Sequence, residues 1–386
     1  MITSPFAVFA ALASISAFFL WLERRTKWAG FEFVPPLLCA YAVPVVLSNV
    51  GVLPSSSSVY DALTDVALPA LIVLLLISVD LRAAFHVVGR GLVVMAFASA
   101  GIVLGAVISY ALFRGFLPSD GWKMFGALAG AWTGGTGNMV AISESIGMTP
   151  QALSVAILTD SVINLLWFPV LIAGTRVAPR FAAWAGVRDF SVADEPGAKL
   201  AEDLPTAKPD VTGLVYLMAV VGVVVALSRT IAPYLPEVGP VLTTGTWRTL
   251  LLSTFAIALS FTPIRKLPLS RELGTTIIYL FLAGMGARAS LTGLGEAPVM
   301  LAAGALWVCI HGAMAVLGAR LVRAELGLAA ISSMACLGGA ATTPIVAARY
   351  REALVPAGIL LALIGYAEGN YVAVLTAQLC SQLAPQ

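Results

Sequence analysis

The chain is short of charge. Only 11% of its 386 residues are Asp, Glu, Lys or Arg, 59% are hydrophobic, and mean hydropathy is +0.95. Soluble domains carry about 25% charged residues, so this shortage excludes a water-exposed surface of ordinary kind and implies a polytopic membrane protein. The net charge is +2, and no basic run reads as a nucleic-acid patch, so no nucleic-acid partner is expected. Histidine is almost missing (His86 and His311), and the four cysteines, Cys39, Cys309, Cys336 and Cys380, are scattered through apolar segments. No metal-ligand spacing and no disulfide framework results. There is no His-Glu-x-x-His, no Gly-x-Ser-x-Gly and no paired aspartates, so the chain is expected not to be an enzyme. No cofactor is expected, and Na⁺ is the only metal ion that the residues suggest. Basic residues are also missing ahead of the first apolar run. Arg24, Arg25 and Lys27 follow Pro5–Leu22 instead, which reads as a first membrane helix ending in the cytoplasm rather than a cleaved signal peptide.

What is there is two interrupted hydrophobic stretches. The first is Thr133-Gly134-Gly135-Thr136-Gly137-Asn138, followed by an apolar helix with Thr159, Asp160, Ser161 and Asn164. The second, about two hundred residues on, is Leu337-Gly338-Gly339-Ala340-Ala341-Thr342-Thr343-Pro344, followed by a helix with Tyr366, Glu368, Asn370 and Tyr371. Non-helical backbone at membrane depth is tolerated only inside protein or against a water-filled cavity. Paired interruptions at matching places in two halves point to the binding site of a secondary transporter.

The expected spans are 4–22, 33–50, 60–79, 91–113, 124–148 and 151–174, then 211–231, 247–264, 273–287, 297–319, 326–347 and 353–382. Residues 175–210 are the one long polar stretch and read as a cytoplasmic linker, with an interfacial helix near Phe181–Phe190. Residues 1–174 and 211–386 then form two related halves. If all twelve segments cross, the basic residues violate the positive-inside bias. If 124–148 and 326–347 instead enter and leave on one face, only Arg114, Lys123, Arg229, Arg248 and Arg288 lie outside and the other 17 of 22 lie inside. The expected fold is therefore an all-α polytopic membrane protein. It has two inverted repeats, each of about five transmembrane helices plus one re-entrant Gly-rich hairpin, and both termini outside.

The Gly-Gly segment with Asn138, the Ala156–Asp160 helix, Leu337–Thr342 and Gly365-Tyr366-Ala367-Glu368-Gly369-Asn370-Tyr371 resemble the domain-of-unknown-function family 819 along nearly the whole chain. Val79–Arg82 and Met285–Ala287 share in the resemblance, whereas Glu368 stands where that pattern has an apolar residue. More distantly, the layout is similar to the sodium–glutamate and 2-hydroxycarboxylate symporters. That likeness implies elevator-like alternating access, a homodimer and a bacterial inner membrane.

Candidate residues follow from helix ends. A break in a helix exposes N–H groups and a partial positive charge at the new start, which suit an anionic group. Gly134, Gly135, Thr136, Asn138, Gly338, Gly339, Thr342 and Thr343, with Asn370 and Tyr371, are candidate solute ligands; for the Gly-Gly pairs, tight helix packing is the alternative. Asp160, about ten residues into its helix, is the foremost candidate to couple Na⁺ or H⁺, with Asn164, Thr159, Glu144 and Glu368 beside it; a fixed structural brace is the alternative for Asp160. Ser58–Asp61 reads as a helix cap, Asp80 with Arg82 as an interfacial ion pair, and His311 as a hydrogen-bonded packing residue. The function expected is Na⁺- or H⁺-coupled symport of a small organic solute bearing an anionic group, such as an amino acid, carboxylate or short peptide. A Na⁺/H⁺ antiporter using Asp160 is the rival.

Overall fold

Prolines, capping side chains and glycines punctuate the apolar runs and set where each helix begins and stops. A computed structural model describes residues 2, 4–28, 31, 35–79, 81, 88–187, 210–289 and 295–385. The Asp80–Arg82 pair and most of the linker lie outside the described residues. Among the described residues the chain is helical, with no strand. Helix α1 is Pro5–Thr26, with Pro5 in its first turn, Arg24 and Arg25 in its last, and Lys27 in left-handed conformation at its end. Helix α2 is Pro36–Asn49. Helix α3 runs from Ser58 to Ile77 and is capped by Ser57, one residue before the expected cap, whose side chain accepts from the Val59 N–H. Its middle, Leu63–Ala67, is a π-turn. Pro69 follows and has no N–H to give the Asp65 carbonyl. The Arg229 guanidinium donates to that carbonyl instead.

Helix α4 is Arg90–Phe113; α5 is Trp122–Gly134 and α6 Thr136–Ser145, separated by Gly135 alone. Helix α7, Pro150–Ala173, starts at a Thr149 cap with Pro150 behind it. The expected interfacial helix is α8, Ala178–Ala185, where Trp184 lies under the Arg320 guanidinium, 3.8 Å away. The second half gives α9 (Val211–Ile231), α10 (Thr244–Ser260), α11 (Ser270–Arg288) and α12 (Ala297–Leu321). It continues with α13 (Leu326–Leu337), α14 (Gly339–Tyr350) and α15 (Val355–Gln382). Asp210 caps α9 at 2.7 Å from the Gly213 N–H, and Thr243 caps α10.

Seven of these helices are long and apolar enough to cross a membrane: α1, α3, α4, α7, α9, α12 and α15. The chain is a multi-pass membrane protein. Helices α5, α6, α13 and α14 hold 13, 10, 12 and 12 residues, about 15–20 Å each at 1.5 Å per residue, so none reaches across about 30 Å of hydrocarbon alone. Nor do they continue one another. A Cβ on Gly126 would lie 3.6 Å from Ile146, twenty positions on, and one on Gly327 would lie 3.1 Å from Tyr350. Each pair therefore folds back on itself.

Two groups of helices result. In one, α1 packs on α2, α9 on α10, α2 on α11, α3 on α10 and α11, with α1 touching α11 and α9 touching α3. In the other, α4 lies along α12, α5 along α15, and the α13–α14 pair against α15, with α4 touching α15 and α7 touching α12. When α1, α2, α3, α4, the α5–α6 pair and α7 are matched in order with α9, α10, α11, α12, the α13–α14 pair and α15, four of these pairings recur. The groups meet along a narrower seam, where α6 faces α3 and α10, α15 faces α10, and α7 faces α11.

Candidate functional site

The two breaks need glycine for backbone reasons. Gly135 has φ 77° and ψ −179°, and Gly339 has φ 64°, regions where an L side chain is strained. Neither α6 nor α14 has a side-chain cap, so Thr136 and Gly137 begin α6 with N–H groups that no helical carbonyl can accept.

Tyr366 of α15 fastens both breaks. Its hydroxyl accepts from the Ala340 N–H at the start of α14 at 3.0 Å, and its carbonyl accepts from Asn138 Nδ2 in α6 at 3.1 Å. A Cβ on Gly135 would sit 3.4 Å from the same ring. Asn138 also donates to the Gly134 carbonyl at 3.1 Å. Gly365 and Gly369 of α15 leave room for this tip: a Cβ on Gly365 would strike the Thr133 carbonyl, and one on Gly369 would strike Asn138 and come within 2.8 Å of Gly134 Cα. Glycine at this spacing lets two backbones touch.

Asp160 lies beside the first break through Trp132, less than one helical turn before Gly135. The Trp132 indole N–H donates to Asp160 Oδ1 at 3.0 Å, and Asn164 Nδ2 donates to the same oxygen at 2.9 Å. Trp132 is itself fully buried against Trp307 of α12, ring centres 4.6 Å apart. Asn164 Oδ1 is buried without a partner, an unusual condition that a cation or water relieves.

The family model described as "Protein of unknown function (DUF819)" matches residues 10–383 of this chain. The chain belongs to the DUF819 family. It is also 28% identical over 362 residues to the uncharacterized membrane protein YjcL of Bacillus subtilis (strain 168), an alignment covering 91% of this chain and 90% of that protein.

In this DUF819 protein the remaining candidates divide by position. Gly338 lies at the second break, where a Cβ would collide with Met334 and the Thr342 hydroxyl; Thr342 Oγ1 is buried without a partner. Thr343 is fully buried and donates to the Gly339 carbonyl at 2.5 Å, and so braces α14. Thr159 packs against Gly304 of α12 and donates to the Val155 carbonyl at 2.8 Å, apart from the oxygens of Asp160. Asn370 and Tyr371 face the seam: Asn370 Nδ2 donates to Ser253 of α10 at 2.8 Å with its Oδ1 buried and unpartnered, and the Tyr371 hydroxyl lies 2.7 Å from Thr254. Glu144 also lies on the seam, in a cavity of about 160 Å³ with Asp65, Arg229 and Arg248. Glu368 turns toward α4, where the Ser99 hydroxyl donates to it.

Reading the sequence missed Trp132 and Ser99 as holders of the two acids, and missed the hydroxyls of Thr246, Thr249 and Ser253 on one face of α10. The signals were present: Trp132 immediately precedes the Thr133–Asn138 motif, and the α10 hydroxyls recur at spacings of three and four. His311 is a packing residue. Its Nδ1 lies 2.9 Å from the Ala98 carbonyl, which can only accept, so Nδ1 carries the proton. Nε2 then accepts from Ser333, whose oxygen accepts from the Trp167 indole, each at 2.9 Å.

Proposed function

We propose that this DUF819 protein is a secondary active transporter that couples Na⁺ or H⁺ to the movement of a small organic solute with an anionic group. One observation carries the reading: a single residue, Tyr366, fastens two helix breaks more than two hundred positions apart. Helix starts converging at membrane depth supply N–H donors and partial positive charge, with little use in a purely structural bundle. The folded-back pairs α5–α6 and α13–α14 are re-entrant hairpins from opposite faces, and the recurring helix pairings support two inverted repeats. The seam between the two helix groups is where one group slides past the other during alternating access. The protein works as a homodimer in a bacterial inner membrane.

Asp160 carries the coupling ion. Its carboxylate and the unpartnered Asn164 Oδ1 are hard oxygen donors on residues one helical turn apart, and they suit Na⁺ as the first two ligands of a site. A proton needs the carboxylate alone. That pair also gives the antiporter reading its footing, since a cation site of this kind needs no organic solute.

The test is reconstitution. Purified protein is screened by thermal shift against amino acids, hydroxycarboxylates and short peptides, with and without Na⁺, and hits are followed by uptake into proteoliposomes. Accumulation driven by a Na⁺ or pH gradient, lost in Asp160→Asn while solute exchange persists, is the expected result. Na⁺/H⁺ exchange without any organic solute would replace symport by antiport. Full accumulation by Asp160→Asn would make Asp160 a brace.

A further inference from the structure

Tyr366 and Glu368 lie two residues apart on α15, so their side chains point about 200° apart around the helix. The face that carries Glu368 looks away from the breaks, onto a cavity of about 380 Å³ between α15, the start of α4 and Leu81. That volume is within the usual range for small-molecule sites, about 300–1,000 Å³. Its walls are Leu92, Met95, Ala96, Ile364, Ala367 and the Tyr371 ring. Among the described residues Glu368 is the one acid on these walls, and no lysine or arginine pairs with it. Glu368 accepts a hydrogen bond from Ser99, and the Tyr371 hydroxyl is taken up by Thr254.

This combination restricts what fits. An anion is repelled by the carboxylate. A neutral apolar molecule would leave the Glu368 carboxyl to take up a proton and would give it no partner. A bare metal ion wants several oxygen ligands, and the aliphatic walls have none to add. An ammonium group on a hydrocarbon body satisfies every wall: the charge meets Glu368, the body lies on the aliphatic side chains, and the Tyr371 ring adds cation–π attraction. We propose that this cavity is a binding site for an organic ammonium ion, separate from the site at the breaks. Ala96 and Tyr371 are exposed, so the cavity opens sideways, and either a free amine or the ethanolamine head group of a lipid can enter.

The experiment uses the full-length protein in nanodiscs of phosphatidylglycerol and measures binding of 2-phenylethylammonium by calorimetry, with 2-phenylethanol and 3-phenylpropanoate as neutral and anionic controls. The cation should bind the parent more tightly than either control. Glu368→Gln, which keeps an acceptor for Ser99, should weaken the cation about tenfold or more and change the alcohol little. Ala96→Leu, on an exposed face and therefore safe for folding, narrows the cavity and should weaken both. Nanodiscs containing phosphatidylethanolamine separate the sources: lost affinity there identifies the head group as occupant, and unchanged affinity identifies the free amine. The proposal is overturned if Glu368→Gln binds the cation as tightly as the parent, or if the parent binds it no better than the controls.

Discussion

The two broken segments use the same sequence device and are held very differently. In the first, nearly every residue of α5 and α6 from Trp122 to Ser143 is buried, and Asn138 ties the tip to α15 by one bond, to the Tyr366 carbonyl, and braces it internally by another, to the Gly134 carbonyl. The glycines at 365 and 369 bring the α15 backbone against it. In the second, α14 has an exposed face with Ile345 51% accessible, and the tip is fixed to α15 by one bond, from the Ala340 N–H to the Tyr366 hydroxyl. Their bases differ in the same sense of detail: Lys123 donates to the Gly147 carbonyl at 2.9 Å in the first, whereas Arg351 pairs with the Glu325 carboxylate at 2.9 Å in the second. Glycine and threonine thus open both helices, but the neighbours decide how firmly each opening is clamped. Movement of a tip breaks fewer contacts at the second than at the first.

The strongest way to break this contrast is at the glycines. Gly369→Val should prevent folding of the first tip, because the new side chain meets Asn138 and the Gly134 backbone; loss of a monodisperse peak in size exclusion is the expected outcome. Gly339→Val strains a left-handed residue by about 1–3 kcal/mol and meets only the far end of the Tyr366 side chain, 2.7 Å away. It should leave a folded protein whose solute binding is lost. A folded Gly369→Val with intact binding would show that the first tip is as loose as the second.

Next come the polar fasteners. Asn138→Ala takes the side-chain donor from the Gly134 carbonyl and a second donor from the Tyr366 carbonyl, which keeps its helical one, and should lower stability by about 1–3 kcal/mol in thermal unfolding. Tyr366→Phe removes one acceptor from Ala340 and should cost about 0.5–1.5 kcal/mol. Equal losses, or the reverse order, would erase the distinction between the tips.

Trp132→Phe tests whether the first segment also positions the ion site. It keeps a ring against Trp307 and deletes the donor to Asp160. The cation concentration for half-maximal uptake should shift by severalfold while the fold survives, and an unchanged cation dependence would detach Asp160 from the first break. The smallest effect belongs to the base of that segment. Lys123→Gln removes an exposed bond at its end and should change stability by about 0.5 kcal/mol or less, within the range of surface pairs.

The sequence by itself determined that this is a helical membrane protein, where seven of its expected spans lie, and where two further apolar segments break; α2, α10 and α11, also expected to cross, are not among the helices long and apolar enough to do so. Those features are local. Hydropathy over about twenty residues marks a span, and a glycine such as Gly135 is needed wherever the backbone must take a positive φ. The candidates nearest the breaks, Gly134 to Asn138 and Gly338 to Thr342, were legible for that reason. Only the tertiary structure decided that Tyr366 joins the two breaks, that Trp132 holds Asp160, that Asn370 and Tyr371 face α10, and that Glu368 turns away toward α4. Helical periodicity states which residues of one helix share a face, but not which helix that face meets. Asn138 and Tyr366 are 228 residues apart, and such a contact follows from the packing of whole helices in three dimensions rather than from any pattern along the chain.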